Sequence, residues 1–196
     1  MKVVKIPSKL GKEYIKTHHY SKSCHNGPMC WGLYDDNDSL IGVCAFATPC
    51  SENVRRSVFG GEENKHRVIE LHRLHTYDDQ PKNTTSWFVS RCIRGLIEYK
   101  PHIRAILSFA DSTEGHTGTI YQALNFEQKG TSSPAWFYRD NNGSLRHPRQ
   151  NGINITKEHA NTLGWEREKR DSKIRYLLIV GRNKSEKRFW QKKVKI

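Results

Sequence analysis

Residues 77–86 read Tyr-Asp-Asp-Gln-Pro-Lys-Asn-Thr-Thr-Ser and run straight into an apolar-periodic segment. A polar loop feeding a helix presents unpaired backbone N–H groups and the positive end of the helix dipole. Both favour an anion such as phosphate. Asn83, Thr84, Thr85 and Ser86 add side-chain donors there, so they are candidate cofactor-binding residues. The plain alternative is a capped helix start. A second chemistry-bearing stretch is Cys24-His25 with Cys30, preceded by His18 and His19. These residue types suit a metal, yet four regularly spaced ligands are not there, and no metal site is assigned.

The third feature is charge. The 196 residues carry 33 Lys and Arg against 20 Asp and Glu, a net +13. Residues 136–196 alone hold 16 cations against 6 anions, and a field of that sign concentrates polyanions. Trp136, Phe137, Tyr138, Trp165, Tyr176, Phe189 and Trp190 lie among those cations. Cations hold phosphates while aromatic faces stack on bases, so a nucleic acid such as double-stranded DNA is the favoured partner; an acidic protein, a membrane surface and a plainly solvated basic surface are the alternatives. Six or so phosphate contacts from this end would give a log–log salt slope of about −5. No stretch of about 18 apolar residues exists to span a membrane. The N-terminus lacks a secretion signal's apolar core. The five cysteines are odd in number and scattered, which suits a reducing cytoplasm.

The elements that must position these groups follow from periodicity. Residues 1–6 start a strand, and Lys9 to His18 form a helix with Ser8 as N-cap. Trp31 to Asp35 and Leu40 to Ala47 make a hairpin, and residues 48–66 read as an irregular excursion. Arg67 to His75 alternates, placing Val68, Glu70, His72 and Leu74 on one face; His72 and His75 fall on different faces and read as surface or packing residues. Pro81 to Tyr99 is a helix, Ile103 to Ala110 a buried strand and Thr117 to Asn125 a short helix. Trp136 to Arg139 and Ile174 to Gly181 are later strands. A helix between two strands of one sheet makes a parallel crossover. The expected fold is α/β, a mixed sheet flanked by helices, with residues 1–182 as the domain and 183–196 as a basic C-terminal tail.

The segment from Ile103 through Asp111-Ser112 to Gly118-Thr-Ile-Tyr121-Gln-Ala-Leu-Asn-Phe126 resembles the second half of the acyl-CoA-dependent N-acyltransferase (GNAT) fold. There a strand is followed by a helix reading roughly G-x-x-Y-x-x-x-G-F. The resemblance places Tyr121 at that family's general-acid position and the 77–86 loop at its pyrophosphate site, although the loop has no Gly-x-Gly. Asn125 replaces the usual Gly, a change Asn tolerates because it accepts left-handed geometry. A narrower resemblance rests on His19-Tyr20 after the first helix, Arg73 in the strand before the loop, Asp111-Ser112 and Tyr121. This set is similar to the Mom family of phage proteins, which place a carbamoylmethyl group on adenine N6 in DNA and so protect it from restriction. By that resemblance His19, Tyr20, Arg73, Asp111 and Tyr121 are the catalytic candidates, with Ser112 a weaker one.

The resemblance assigns roles that chemistry allows. Adenine N6 is a weak nucleophile and must be fixed and deprotonated as it reacts. Asp111 would hold or deprotonate it, Tyr121 would protonate a leaving group, and Arg73 would meet developing charge or a phosphate. His19 and Tyr20 would stack on the flipped base. Plain alternatives stand beside these: Asp111 as a helix cap, Arg73 paired with Glu70, and a structural His-Tyr. Acetyl-CoA or another acyl donor is implied by the fold, and aminoacyl-tRNA suits a glycinamide-like product on a basic protein. An iron held by His, Tyr and Asp side chains would also suit this chemistry. Two rivals remain: a GNAT-type N-acetyltransferase acting on a protein or small-molecule amine, and a non-catalytic DNA-binding protein. A conventional adenine methylase is discounted, because no Asp/Asn-Pro-Pro-aromatic motif occurs.

Overall fold

Leu40–Ala47 is apolar at almost every position, the pattern of a strand covered on both faces. In the computed structural model, which describes residues 1–143, 145–150 and 153–196, this segment is β3, central to a seven-stranded sheet. It lies between β2 (Met29–Tyr34) and β4 (Val68–Thr76); the sheet also holds β1 (Lys2–Ile6), β5 (Ala105–Asp111), β12 (Lys173–Ile179) and β6 (Glu127–Thr131). The strand order is β1-β2-β3-β4-β5-β12-β6. β1 to β4 pair antiparallel and β4 pairs parallel with β5, so the sheet is mixed.

Adjacent residues of β2 show how both faces are covered. Side chains alternate along a strand. A Cβ on Gly11 of α1 (Ser8–His18) would lie 2.4 Å from Cys30 Sγ, and one on Gly95 of α3 (Thr84–Tyr99) 2.7 Å from Trp31 Nε1. Cys30 and Trp31 point to opposite faces, so α1 and α3 lie on opposite sides of the sheet. Glycine at each crossing allows the close approach.

By its contacts the chain forms two units. The first holds Met1–Phe109, Gly118–Lys129 and Tyr176–Ile196; the second holds Ala110–Thr117 and Gly130–Arg175. The second has its own antiparallel sheet, ordered β11-β7-β8 from Glu166–Arg170, Ala135–Arg139 and Leu145–Arg146. Between them come the short pair β9 (Arg149–Gln150) and β10 (Ile153–Asn154) and the helix α5 (Lys157–Thr162). A small core of Tyr138, Ile155 and Ala160, with Trp165 against it, holds this unit together.

The structure departs from the sequence expectations in four places. The first helix begins at Ser8 itself, behind Pro7 with no side-chain cap. The stretch 48–66 contains α2 (Glu52–Phe59), whose first turn is capped by Ser51 Oγ on the Val54 amide at 3.3 Å. β4 does not alternate evenly: its register with β3 slips between Ala45 and Phe46, which face Arg73 and Leu71. His72 is therefore a bulged residue, and the single face expected for Val68, Glu70, His72 and Leu74 is broken there. Finally, residues 183–196 carry α6 (Lys184–Gln191), capped by Asn183. Trp190, Val194 and Ile196 pack on a core of Val58, Phe59, Val68 and Ala105.

Candidate active site

The parallel pairing of β4 with β5 covers only Val68–Glu70 against Ala105–Leu107. Beyond it Ser108 Oγ, fully buried, donates to the Leu71 carbonyl at 3.0 Å. The bulge at His72 bends β4 on its other edge. A long strand that loses its partner after three residues opens a seam between β4 and β5, at the end where β4 runs into the 77–86 loop.

Tyr121 stands at this seam on α4 (Thr119–Ala123). Its helix starts from Gly118, where φ is +81° and a Cβ would collide with the Tyr176 ring at 2.2 Å, so glycine is required. Behind the Tyr121 ring lie Tyr176 and Phe126, at centroid distances of 5.2 and 5.6 Å. Burial pushes the phenol pKa up; the Ser108 hydroxyl opposes this, Cys44 and Glu70 add to it, and Arg73 pulls it back. The phenol therefore keeps its proton at neutral pH. Asn125 closes the turn with φ +59°, the left-handed geometry its type allows.

His19, Tyr20 and Arg73 meet through one loop. Arg73 Nε donates to the Ser23 carbonyl at 2.9 Å, and a second guanidinium nitrogen to Ser23 Oγ at 3.2 Å. Ser21 N–H donates to His19 Nδ1 at 3.1 Å, and Ser21 Oγ donates on to the Ser23 carbonyl at 3.3 Å. Arg73 pairs with this loop and not with Glu70. His19 is buried, and the half-exposed Tyr20 ring stacks on it at 4.3 Å.

The anion loop is also built. Thr76 to Asp78 and Gln80 to Ser86, with Thr119, Ile120 and Ala123, line a hollow of about 320 Å³. Asn83, the residue before α3, has φ +70° and no side-chain cap on the helix. It thus makes, without glycine, a turn for which glycine is usually chosen. Ser86 Oγ turns back to the Asn83 carbonyl at 3.0 Å, and Thr85 Oγ1 meets Thr76 Oγ1 at 2.8 Å. The α3 amides, the Lys82 ammonium and these hydroxyls form a donor set suited to a phosphate, with Asp78 the one carboxylate among the lining residues.

Asp111 belongs to the second unit. It is 4% exposed and accepts from Lys173 Nζ at 3.1 Å, Arg170 at 3.3 Å and the Thr113 amide at 3.2 Å. Burial raises its pKa, but Lys173 and Arg170 outweigh that and hold it below the usual carboxylate value. Arg170 reaches Glu114 as well, at 2.6 Å. Ser112 follows as the first residue of a single 3₁₀ turn.

Two features escaped the sequence reading. His72 Nδ1 lies 3.2 Å from Glu70 Oε1, and a carboxylate only accepts, so the ring donates from Nδ1. Burial lowers the His72 pKa, partly opposed by Glu70. The neutral ring then carries its lone pair on Nε2. Secondly, Tyr14, His18, His75 and Tyr77 form a ring cluster beside the hollow, with Tyr14 OH 3.2 Å from His75 Nδ1 and His18 against Tyr77 at 5.5 Å. Among the described residues no group of three or more His, Cys, Asp or Glu is placed to hold a metal ion. No helix among them is long and apolar enough to cross a membrane.

Similar structures carry the same sheet. A ribosomal-protein-alanine N-acetyltransferase from Escherichia coli matches with a TM-score of 0.52 over 93% of this chain and 95% of its own, at 7% identity. An IAA acetyltransferase from Bacillus cereus gives 0.51 over 91% and 99%, at 10% identity. The fold is that of the GNAT acetyltransferases. The particular lineage comes from sequence: the model of the Mom protein family matches residues 1–194, and the chain belongs to that family. The methylcarbamoylase Mom of Escherichia phage Mu is 27% identical over 170 residues, 82% of this chain and 70% of that protein.

Proposed function

We propose that this protein modifies DNA, transferring a carbamoylmethyl group to adenine N6 and shielding the DNA from restriction in the cytoplasm of an infected bacterium. Family membership along the chain supports the reaction class. The observation that carries the reading is Tyr121, a phenol beside Ser108 and Arg73 at the seam between β4 and β5.

The chain's own groups divide the work. Arg73 fixes the 19–28 loop and so positions the His19–Tyr20 stack, against which an extruded base lies. The adenine amine must lose a proton as its new bond forms. The neutral Nε2 of His72, backed by Glu70, accepts it. Tyr121 donates its proton to the departing thiolate or alkoxide. Asp111 already accepts three hydrogen bonds, and its lowered pKa makes it a weak base; we assign it to anchoring the end of β5. The α3 amides, Lys82, Asn83, Thr84, Thr85 and Ser86 would hold the phosphates of the donor, acyl-CoA or an aminoacyl-tRNA. Bound there, a glycyl ester or thioester would supply the activated group: attack by N6 forms the glycyl amide with loss of the alkoxide or thiolate, and the carbamoylmethyl product is the isomer of that amide, reached by a further rearrangement. The fold alone equally suits an N-acetyltransferase of a protein or small-molecule amine, which would leave DNA unmodified.

Nucleoside mass spectrometry of DNA from cells expressing the chain tests this. Wild type should yield modified deoxyadenosine, and Tyr121→Phe should lower the rate about 10²–10⁴-fold while duplex affinity stays unchanged. Unmodified DNA from wild-type cells would remove the function; full activity of the Phe variant would remove Tyr121.

A further inference from the structure

α1 lays three lysines along one face. Lys9, Lys12 and Lys16 follow one another at three and four residues, roughly 10 Å end to end, while Gly11, Tyr14 and Ile15 are buried behind them. With Ser8, Glu13 and Gly27 they line a hollow of about 350 Å³. Three cations there meet one carboxylate, and none of Lys9, Lys12, Lys16 or the following Lys22 has a carboxylate partner among the described salt bridges. Lys12 Nζ reaches Asn26 Oδ1 at 3.2 Å, so the stripe touches the loop that Arg73 holds. The Cys24 thiol in that loop lies in the field of Arg73, Lys12 and Lys16. α1 then ends directly in the His19–Tyr20 stack.

The other cation-rich helix is placed differently. α6 packs beside Val68 and Ala105, where β4 and β5 begin. α1 touches the far end of β4, through Tyr14 on His75 and His18 on Tyr77. Seven residues of strand, roughly 23 Å, separate those ends. The α6 cations therefore lie at the other end of β4 from the His19–Tyr20 stack.

Resting on the DNA-modification reading, we infer that Lys9, Lys12 and Lys16 are a phosphate track for the strand of duplex DNA whose adenine is extruded onto Tyr20. A stripe of that length spans the axial rise of about three nucleotides. A strand held there passes the end of α1, where an unstacked base meets the exposed ring of Tyr20.

The test compares full-length wild type with Lys9→Gln/Lys12→Gln/Lys16→Gln and with Lys184→Gln/Lys187→Gln/Arg188→Gln. Binding of a fluorescent 20-base-pair duplex is followed by anisotropy from low to moderate KCl, with thermal melts to confirm folding. Removing three phosphate contacts should make the log–log slope shallower by about 2–3; the α6 variant should change it by less than about 1. Modified adenine should fall in step in the α1 variant only. An unchanged slope in the α1 variant, or the larger change in the α6 variant, overturns the track while leaving the enzyme reading intact. A slope change with tRNA but none with duplex overturns it in favour of an RNA track. Wild type that neither binds duplex nor modifies adenine overturns both readings.

Discussion

Two regions of the molecule use their cations in different ways: the second unit, and the first unit's α1 with residues 176–196. The second unit carries 9 Lys and Arg against 7 Asp and Glu, and three of its arginines are matched: Arg139 with Glu168, Arg146 with Asp140, and Arg170 with Asp111, Glu114 and Glu168. Residues 176–196 of the first carry 7 against 1, and α1 adds its unmatched stripe. The raw excess over residues 136–196 therefore joins a neutralised network to an open patch. Charge counted along a chain does not say which cations face solvent anions; pairing does.

The largest effect should come from breaking a matched set. Asp111→Ala leaves Arg170, 7% exposed, short of a carboxylate and Thr113 without its cap. Glu114 and Glu168 remain, so the loss should be about 2–3 kcal/mol, read from urea unfolding. A loss under about 0.5 kcal/mol would mean the network is not buried in the working protein. Next comes Glu186→Gln. Glu186 pairs with Arg104, 5% exposed, at 2.7 Å, tying α6 to the sheet. Arg104 keeps two backbone carbonyl acceptors, so about 1–2 kcal/mol is expected.

Glu186 also gives this tie a pH signature. Arg182 above all holds its pKa down, to about 2 from 4.5. The folded value lies below the unfolded one, so the stabilisation is complete above about pH 4.5 and is lost as pH falls towards 2. Trp190 fluorescence should report α6 loosening in that window in wild type. Glu186→Gln should lack the transition; a transition of the same size there would locate the titration elsewhere.

What the sequence disclosed depended on the range of the interactions. The hairpin, α3, β5 and the left-handed Asn125 were legible because local periodicity and turn chemistry determine them. Tyr121 and the 77–86 loop were legible from a motif along one helix and one loop. Missing were α2, too short for periodicity to show beside its Ser51 cap, and α6, fixed by packing of Trp190 against Phe59 at 5.0 Å. Alternation already put Glu70 and His72 on one face, but the slip between strands at His72 is one that neither strand's own pattern records. The second unit's sheet joins Ala135–Arg139 to Glu166–Arg170 across about thirty intervening residues, a pairing no local rule supplies.

The smallest effect on stability should come from the open patch, and its sign separates the two uses of charge. Lys12 lies three residues from Lys9 and four from Lys16, so it repels both by a few tenths of a kcal/mol. Lys16 is the better placed of the three, because it sits in the last turn against the negative end of the helix dipole. Lys12→Gln relieves the repulsion, and the amide can still donate to Asn26. Stability should rise by about 0.2–0.5 kcal/mol in urea melts while the DNA salt slope becomes shallower by about 1. A residue fixed for the fold would lose stability and binding together. If both fall in Lys12→Gln, the lysine belongs to the matched class, and the contrast between the two regions fails at its most exposed point.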